Sequence, residues 1–174
     1  MKIICIMGKS GSGKSTLEAA ITRAGYSRII SYTTRKPRGD ERDGQEYHFV
    51  SKETFEKLIE NGVLMEYAEY SGNLYGAPKP SDGNYVVVVE PRGYKRIKDM
   101  YPDETMGVYI LLPAEIIAER IFQRNDTSAG EAARRIAEDM EVFRDMEEKV
   151  DLVLDGRAPV RESAELILSL AEII

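Results

Sequence analysis

The run Gly8-Lys9-Ser10-Gly11-Ser12-Gly13-Lys14-Ser15, directly after the apolar stretch Ile3-Ile4-Cys5-Ile6-Met7, constrains the fold more than any other part of the chain. It fills every fixed position of a phosphate-binding loop, Gly-x-x-x-x-Gly-Lys-Ser. A buried-looking strand precedes it and a helix-forming segment, Ser15 to Ala24, follows, which is the context this pattern needs. Glycines let the backbone wrap an anion with successive N–H groups aimed at its oxygens, and the helix beneath adds the positive end of its dipole. Gly8, Ser10, Gly11, Ser12, Gly13, Lys14, Ser15 and Thr16 are therefore the expected ligands of a nucleoside triphosphate. In such loops the lysine, here Lys14, reaches the β- and γ-phosphates, and the hydroxyl, here Ser15, holds Mg²⁺.

With 174 residues the chain is long enough for one domain with a substantial core and small insertions. A formal net charge of −6 argues against a nucleic-acid or membrane binder, which would show a broad basic surface. Anion chemistry must then rely on local clusters of arginine and lysine. The single cysteine excludes an intrachain disulfide and a multi-cysteine metal site, and Cys5, inside the first apolar run, reads as a small buried hydrophobe. No stretch has the length of a membrane span or the layout of a signal peptide, so a cytoplasmic location is expected. Nothing in the pattern bears on oligomeric state.

Strands and helices alternate along the chain. Apolar runs at Ile3 to Met7, Tyr85 to Val89, Met106 to Leu112 and Leu152 to Leu154 read as short strands buried on both faces. Between them, Ile136, Met140 and Phe143 share one helical face, and Ile167, Leu170 and Ile174 another. The expected fold is α/β, a parallel sheet covered by helices in the manner of P-loop NTPases, with the phosphate loop at the strands' carboxyl ends. Two stretches break the rhythm. One, about 32–83, is rich in charge, tyrosine and glycine, with a short helix that begins at Ser51, buries Phe55, Leu58 and Ile59, and stops at Gly62. The other, about 123–135, is polar and flanked by arginines. The expected organisation is one domain over 1–174, with a core of 1–31, 84–122 and 136–174 interrupted by two insertions.

The first insertion carries a second cluster. Ser31-Tyr32-Thr33-Thr34-Arg35-Lys36-Pro37-Arg38 sets two arginines three residues apart around a proline that favours an extended backbone. Paired guanidinium groups with nearby hydroxyls suit a phosphate dianion. Glu41, Gly44, Tyr47-His48-Phe49-Val50-Ser51, Glu66 and Gly72-Asn73-Leu74-Tyr75-Gly76 follow.

With these residues the chain resembles the guanylate kinase family, P-loop enzymes that phosphorylate GMP using ATP. The likeness runs from the phosphate loop to the last strand. Its specific part is Thr-Thr-Arg-x-Pro-Arg, Gly-x-x-Tyr-x-Phe-Val and Gly-Asn-x-Tyr-Gly. The resemblance implies that 32–83 is a GMP-binding insertion in which Arg35, Arg38, Tyr47 and Tyr75 grip the acceptor's phosphate while Ser31 and Glu66 read the guanine. Glu90, after the strand Tyr85 to Val89, falls where the family has an aspartate near base and metal. It also implies that 123–135 is a lid, with Arg120, Arg124 and Arg135 in the positions of the lid arginines that neutralise the transferred phosphoryl group together with Lys14, Arg35 and Arg38. For Arg134 an ion pair with a neighbouring glutamate is the preferred reading.

Some positions depart from the family. Ala77 replaces a serine or threonine that bonds the base, Asn125 replaces a glycine, and Val88 stands where another acidic residue is common. His48 is expected to be packed or surface-exposed, and Met140 and Met146 to fill the core. Three other readings use the same motifs: a P-loop kinase acting on another acceptor such as ribose 1,5-bisphosphate, a non-catalytic interaction module, and a simple nucleotide-dependent switch, for which the paired acceptor arginines have no use. Glu66 and the two tyrosines favour a nucleotide over a sugar phosphate. Lys14, Ser15 and the lid arginines have no use in a module.

Overall fold

Five mutually parallel strands form the main sheet, in the order β2-β7-β1-β8-β9, with β1 (Lys2–Gly8) at its centre between β7 (Asn84–Val88) and β8 (Thr105–Leu111). Short β2 (Ser27–Arg28) and β9 (Leu152–Asp155) are the edges. This is a computed structural model, and it describes residues 1–70, 72–122 and 129–173, the side chains of 122, 129, 131, 132 and 135 excepted.

The apolar run of β1 follows from its position. Ile3, Cys5 and Met7 face one cluster, with Val87, Tyr94, Ile97, Tyr109, Phe143 and Met146, and Ile4 and Ile6 face the other, with Leu17, Ile21, Val108 and Ile167. A strand with helices on both sides has no polar face, and Ile3 to Met7 are all 0% exposed. Burying each such side chain contributes on the order of 1.5–3 kcal/mol. One face is covered by α1 (Lys14–Arg23) and α6 (Val160–Ala171), the other by α3 (Pro91–Met100) and the end of α5 (Ala129–Val142).

Residues 32–78 build a second sheet, β4-β3-β6-β5, from β3 (Tyr32–Thr33), β4 (His48–Phe49), β5 (Leu64–Tyr70) and β6 (Asn73–Pro78). Helix α2 (Lys52–Glu60) lies between β4 and β5, with the Ser51 side chain accepting the Thr54 N–H as its N-cap. Phe55 is fully buried, whereas Leu58 and Ile59 are only half-buried. Arg28 ties this unit to the core: it pairs with buried Glu18 of α1 at 2.9 Å and donates to the carbonyl of Gln45 at 2.7 Å.

Several expectations need correction. Edge strand β9 is buried on one face only: Leu154 packs into the cluster beneath α6, whereas Val153, on the opposite face, is 38% exposed. Met140 is not a core filler: it is 60% exposed on α5, whose buried stripe runs instead through Asp139 and Phe143. Met146 is buried as expected. Helix α5 starts at Ala129, inside the stretch that lacks apolar periodicity. Arg124, Asn125 and Ile174 lie outside the described residues, as does the side chain of Arg135.

Candidate active site

The phosphate loop leaves the carboxyl end of β1 and turns into α1 at Gly13, whose φ of 98° is left-handed and available at little cost to glycine alone. Thr16 and Leu17 donate their N–H groups to the Gly13 carbonyl and start the helix. The Lys14 ammonium folds back over the loop and donates to the carbonyls of Gly8 at 2.7 Å and Lys9 at 3.0 Å.

A cavity of about 210 Å³ opens where this loop faces the second sheet. Gly8, Ser10 and Lys14 line its donor side, and Ser31, Arg35, Arg38, Tyr47, Glu66, Tyr75 and Glu90 line the rest. Every acceptor residue expected from the sequence therefore meets Lys14 in one space. Their supports differ. Arg35, 9% exposed, donates from Nη1 and Nη2 to the two Glu41 carboxylate oxygens at 2.8 and 3.0 Å, and from Nη1 to the Lys36 carbonyl at 2.7 Å. Its guanidinium also lies over the Tyr47 and Phe49 rings. Burial opposes its charge, but Glu41 and then Tyr75 together more than offset this and raise its pKa. Glu41 also accepts the Arg38 N–H at 2.8 Å, so one carboxylate shapes the whole arginine turn. The Arg38 residue itself is exposed. Tyr47 and Tyr75 meet edge to face at 5.8 Å, and His48 packs against the Tyr32 ring at 4.8 Å.

Glu66 sits on β5 opposite Ala77 of β6 and is 7% exposed. Burial pushes its carboxyl up to about 7, against a hydrogen bond from the Ala77 backbone and the nearby charge of Arg96. It rests on α3 where that helix begins. A Cβ on Gly93 would stand 2.7 Å from Glu66 Oε2, so only glycine leaves the carboxylate its place. The Ala77 side chain belongs to the buried cluster rather than to the cavity wall, so this position supports Glu66 through its backbone. Glu90 is the N-cap residue of α3, two residues beyond β7, and its carboxyl is also raised to about 7, by burial first and the negative charge of Asp139 second.

Of the expected lid arginines, Arg120 does not line this cavity, while Arg124 and the side chain of Arg135 lie outside the described residues. Arg120, on α4 (Ala114–Phe122), donates to the Gly11 carbonyl at 3.1 Å and lines a second cavity of about 330 Å³ with Ser12, Gly13 and Thr16. Asp155, Gly156 and Arg157 close its far side. Ser15 is exposed in the first turn of α1 and lines neither cavity. Arg134 pairs with Glu138 at 2.6 Å, as expected.

Sequence reasoning missed Glu41 as the partner of Arg35, the 155–157 turn, and Tyr70 and Asp139, which also line the first cavity. The signal for Asp139 was its i,i+4 spacing to Phe143 on one helix face.

Comparison with known proteins points to the same family as the sequence motifs. The guanylate kinase family model matches residues 1–161. A guanylate kinase of Wolinella succinogenes is 37% identical over 97% of this chain and 82% of its own, and one of Lactococcus lactis is 34% identical over 98% and 86%. Among solved structures, a guanylate kinase from Anaplasma phagocytophilum superposes with a TM-score of 0.74 at 24% identity, covering 99% of this chain and 85% of that one. A gluconokinase from Sinorhizobium meliloti shares the fold, with a TM-score of 0.57 at 19% identity, covering 98% of this chain and 91% of that one.

Proposed function

The chain belongs to the guanylate kinase family and phosphorylates GMP with ATP, and from that premise we propose how its residues divide the work. One observation carries the reading: Lys14 of the donor loop and Arg35, Arg38 and Glu66 of the acceptor sheet line the same cavity. GMP would occupy that cavity with its phosphate on Arg35, Arg38, Tyr47 and Tyr75 and its base on Glu66 and Ser31. Because none of these residues is assigned to the sugar, dGMP is the second expected acceptor. The second cavity, on the far side of the loop beside Thr16 and Arg120, is where the ATP nucleoside would lie.

The acceptor's phosphate oxygen is already a nucleophile near neutral pH, so no strong base is required. Positioning and charge neutralisation supply most of the acceleration. Lys14 would neutralise the donor phosphates while Arg35, pre-oriented by Glu41, holds the acceptor in line. On the family resemblance, 32–83 acts as the acceptor-binding insertion and 123–135 as a lid bringing Arg124 and Arg135 to join Arg120. Mg²⁺ suits the donor side. Among the described residues no three His, Cys, Asp or Glu form a metal cage, and Mg²⁺ needs only one or two protein oxygens when phosphates and water complete its shell. Ser15 and Glu90 would hold it, and the bound ion would neutralise polyphosphate charge. A cytoplasmic location goes with this reading, and no described helix is long and apolar enough to cross a membrane.

ATP consumption measured against each nucleoside monophosphate and ribose 1,5-bisphosphate tests the acceptor. GMP, then dGMP, should lead, and turnover of ribose 1,5-bisphosphate at the rate of GMP would refute the base-reading role of Glu66.

A pH dependence follows as well. Only the ionised carboxylate accepts both guanine donors, the N1–H and the 2-amino group. Because the carboxyl of Glu66 is raised to about 7, the binding-competent form is dominant above that pH and is lost as pH falls through it. KM for GMP should rise about tenfold between pH 8 and 6 beyond what Glu66→Gln shows over the same range. The phosphate of GMP and Glu90 titrate in both proteins, so the difference between the two profiles isolates Glu66. Parallel profiles would remove the base-reading assignment.

A further inference from the structure

Helix α5 brings into the first cavity a carboxylate that the chemistry above leaves unused. Asp139 is 3% exposed. Its Oδ2 accepts the Ser10 backbone N–H at 2.6 Å, and its Oδ1 accepts the Tyr70 hydroxyl at 3.3 Å. Ser10 belongs to the donor loop, whereas Tyr70 ends β5, the strand that carries Glu66. One side chain thus touches both halves of the site.

We propose that Asp139 is a positioning residue for phosphoryl transfer, fastening the acceptor sheet to the phosphate loop so that acceptor oxygen and transferred phosphorus stay in line. The inference rests on the donor-and-acceptor reading of the cavity. In-line displacement requires the reacting atoms about 3–3.5 Å apart, and a misplacement of about 1 Å can lower the rate on the order of a hundredfold. Here the two reactants are gripped by different sheets, so their mutual placement depends on what ties those sheets together. Aspartate suits that task. It has two side-chain torsions, and its two oxygens are engaged by partners on opposite sides. Hydrogen bonds to an ionised acceptor in a buried setting are also the strong ones. A base is not needed, and both oxygens already accept hydrogen bonds. Negative charge beside a polyphosphate site is otherwise unfavourable, which leaves the bridge as its use.

Four variants test this: Asp139→Leu, Asp139→Asn, Tyr70→Phe and the Tyr70→Phe/Asp139→Leu pair, each assayed with ATP and GMP and by thermal unfolding. Asp139→Leu should lower kcat about tenfold with both KM values within about twofold. Asparagine can still accept from Ser10 and donate to the Tyr70 oxygen, so Asp139→Asn should recover kcat to within about threefold. Tyr70→Phe should lower kcat about threefold alone and nothing further beside Asp139→Leu, because both break one bridge. An asparagine variant as slow as leucine, additive losses, or losses confined to KM would each overturn the proposal. Should Asp139→Leu fail to unfold cooperatively, Tyr70→Phe decides alone, and an unchanged kcat refutes the bridge. Failure of the wild-type chain to phosphorylate GMP would sink the functional reading instead. Coupling between positions 70 and 139 in the melting data without an effect on kcat sinks only this proposal.

Discussion

Replacing Lys14 by methionine should lower kcat/KM at least about a hundredfold while the chain stays folded. Methionine reproduces the unbranched stem but not the ammonium, which donates to the carbonyls of Gly8 and Lys9 and so hangs over the mouth of the phosphate loop. Those two bonds hold the cation where donor phosphates would arrive. Removing a preorganised electrostatic stabiliser from a partly desolvated site raises a barrier by about 3 kcal/mol or more, which is about a hundredfold in rate. The fold does not depend on that charge, because the strand beneath it is fixed by Ile3 to Met7 and the helix start by Gly13. Thermal unfolding and steady-state kinetics on one sample separate the two effects. A folded Lys14→Met protein that turns over at near-wild-type rate would end the assignment.

The second large effect concerns the base. Glu66→Gln should reduce the preference for GMP over AMP, measured as kcat/KM, by at least about tenfold. An ionised carboxylate only accepts hydrogen bonds, and guanine offers it two donors side by side. Adenine would turn the lone pair of N1 toward the same oxygens. An unpaired buried acceptor costs about 1–3 kcal/mol, and more when charged, so the wild-type site rejects adenine on this contact alone. Glutamine presents one donor and one acceptor and so meets either base halfway. If the ratio is the same in both proteins, the guanine reading of Glu66 is wrong although the phosphoryl-transfer reading stands.

How far the sequence could be read depended on the kind of signal. The main sheet was legible because strands covered on both faces carry long apolar runs, as Ile3 to Met7 of β1, Val86 to Val88 of β7 and Val108 to Leu111 of β8 do. Second-sheet strands of two residues, such as β3 and β4, are too short for any period to register. Met140 was misplaced for a related reason. Helical spacing finds the apolar residues of a face, but α5 turns Asp139 inward, and a buried acid looks like a surface position until its partners are seen. The residues around the candidate site were grouped by motif, and the structure brings Lys14 and the acceptor set into one cavity. Glu41 escaped notice because bidentate pairing with Arg35 depends on the path of the turn between them. The separation of Arg120 from the acceptor side likewise depends on which flank of the phosphate loop α4 occupies.

Gly93 sets stability and discrimination against each other. Glycine is a poor residue for the first turn of a helix, and alanine there would ordinarily be a gain of up to about 1 kcal/mol. The backbone of Gly93 is not left-handed, so nothing in its own conformation forbids alanine. What the methyl group would meet is the tip of the Glu66 side chain, which can swing away and leave the rest of the fold intact. An evolving or engineered lineage selected only for heat resistance could therefore drift toward alanine at this position and become a hardier, less discriminating enzyme. The glycine keeps a small thermodynamic concession in place, and its return is the fidelity with which one purine is chosen over the other.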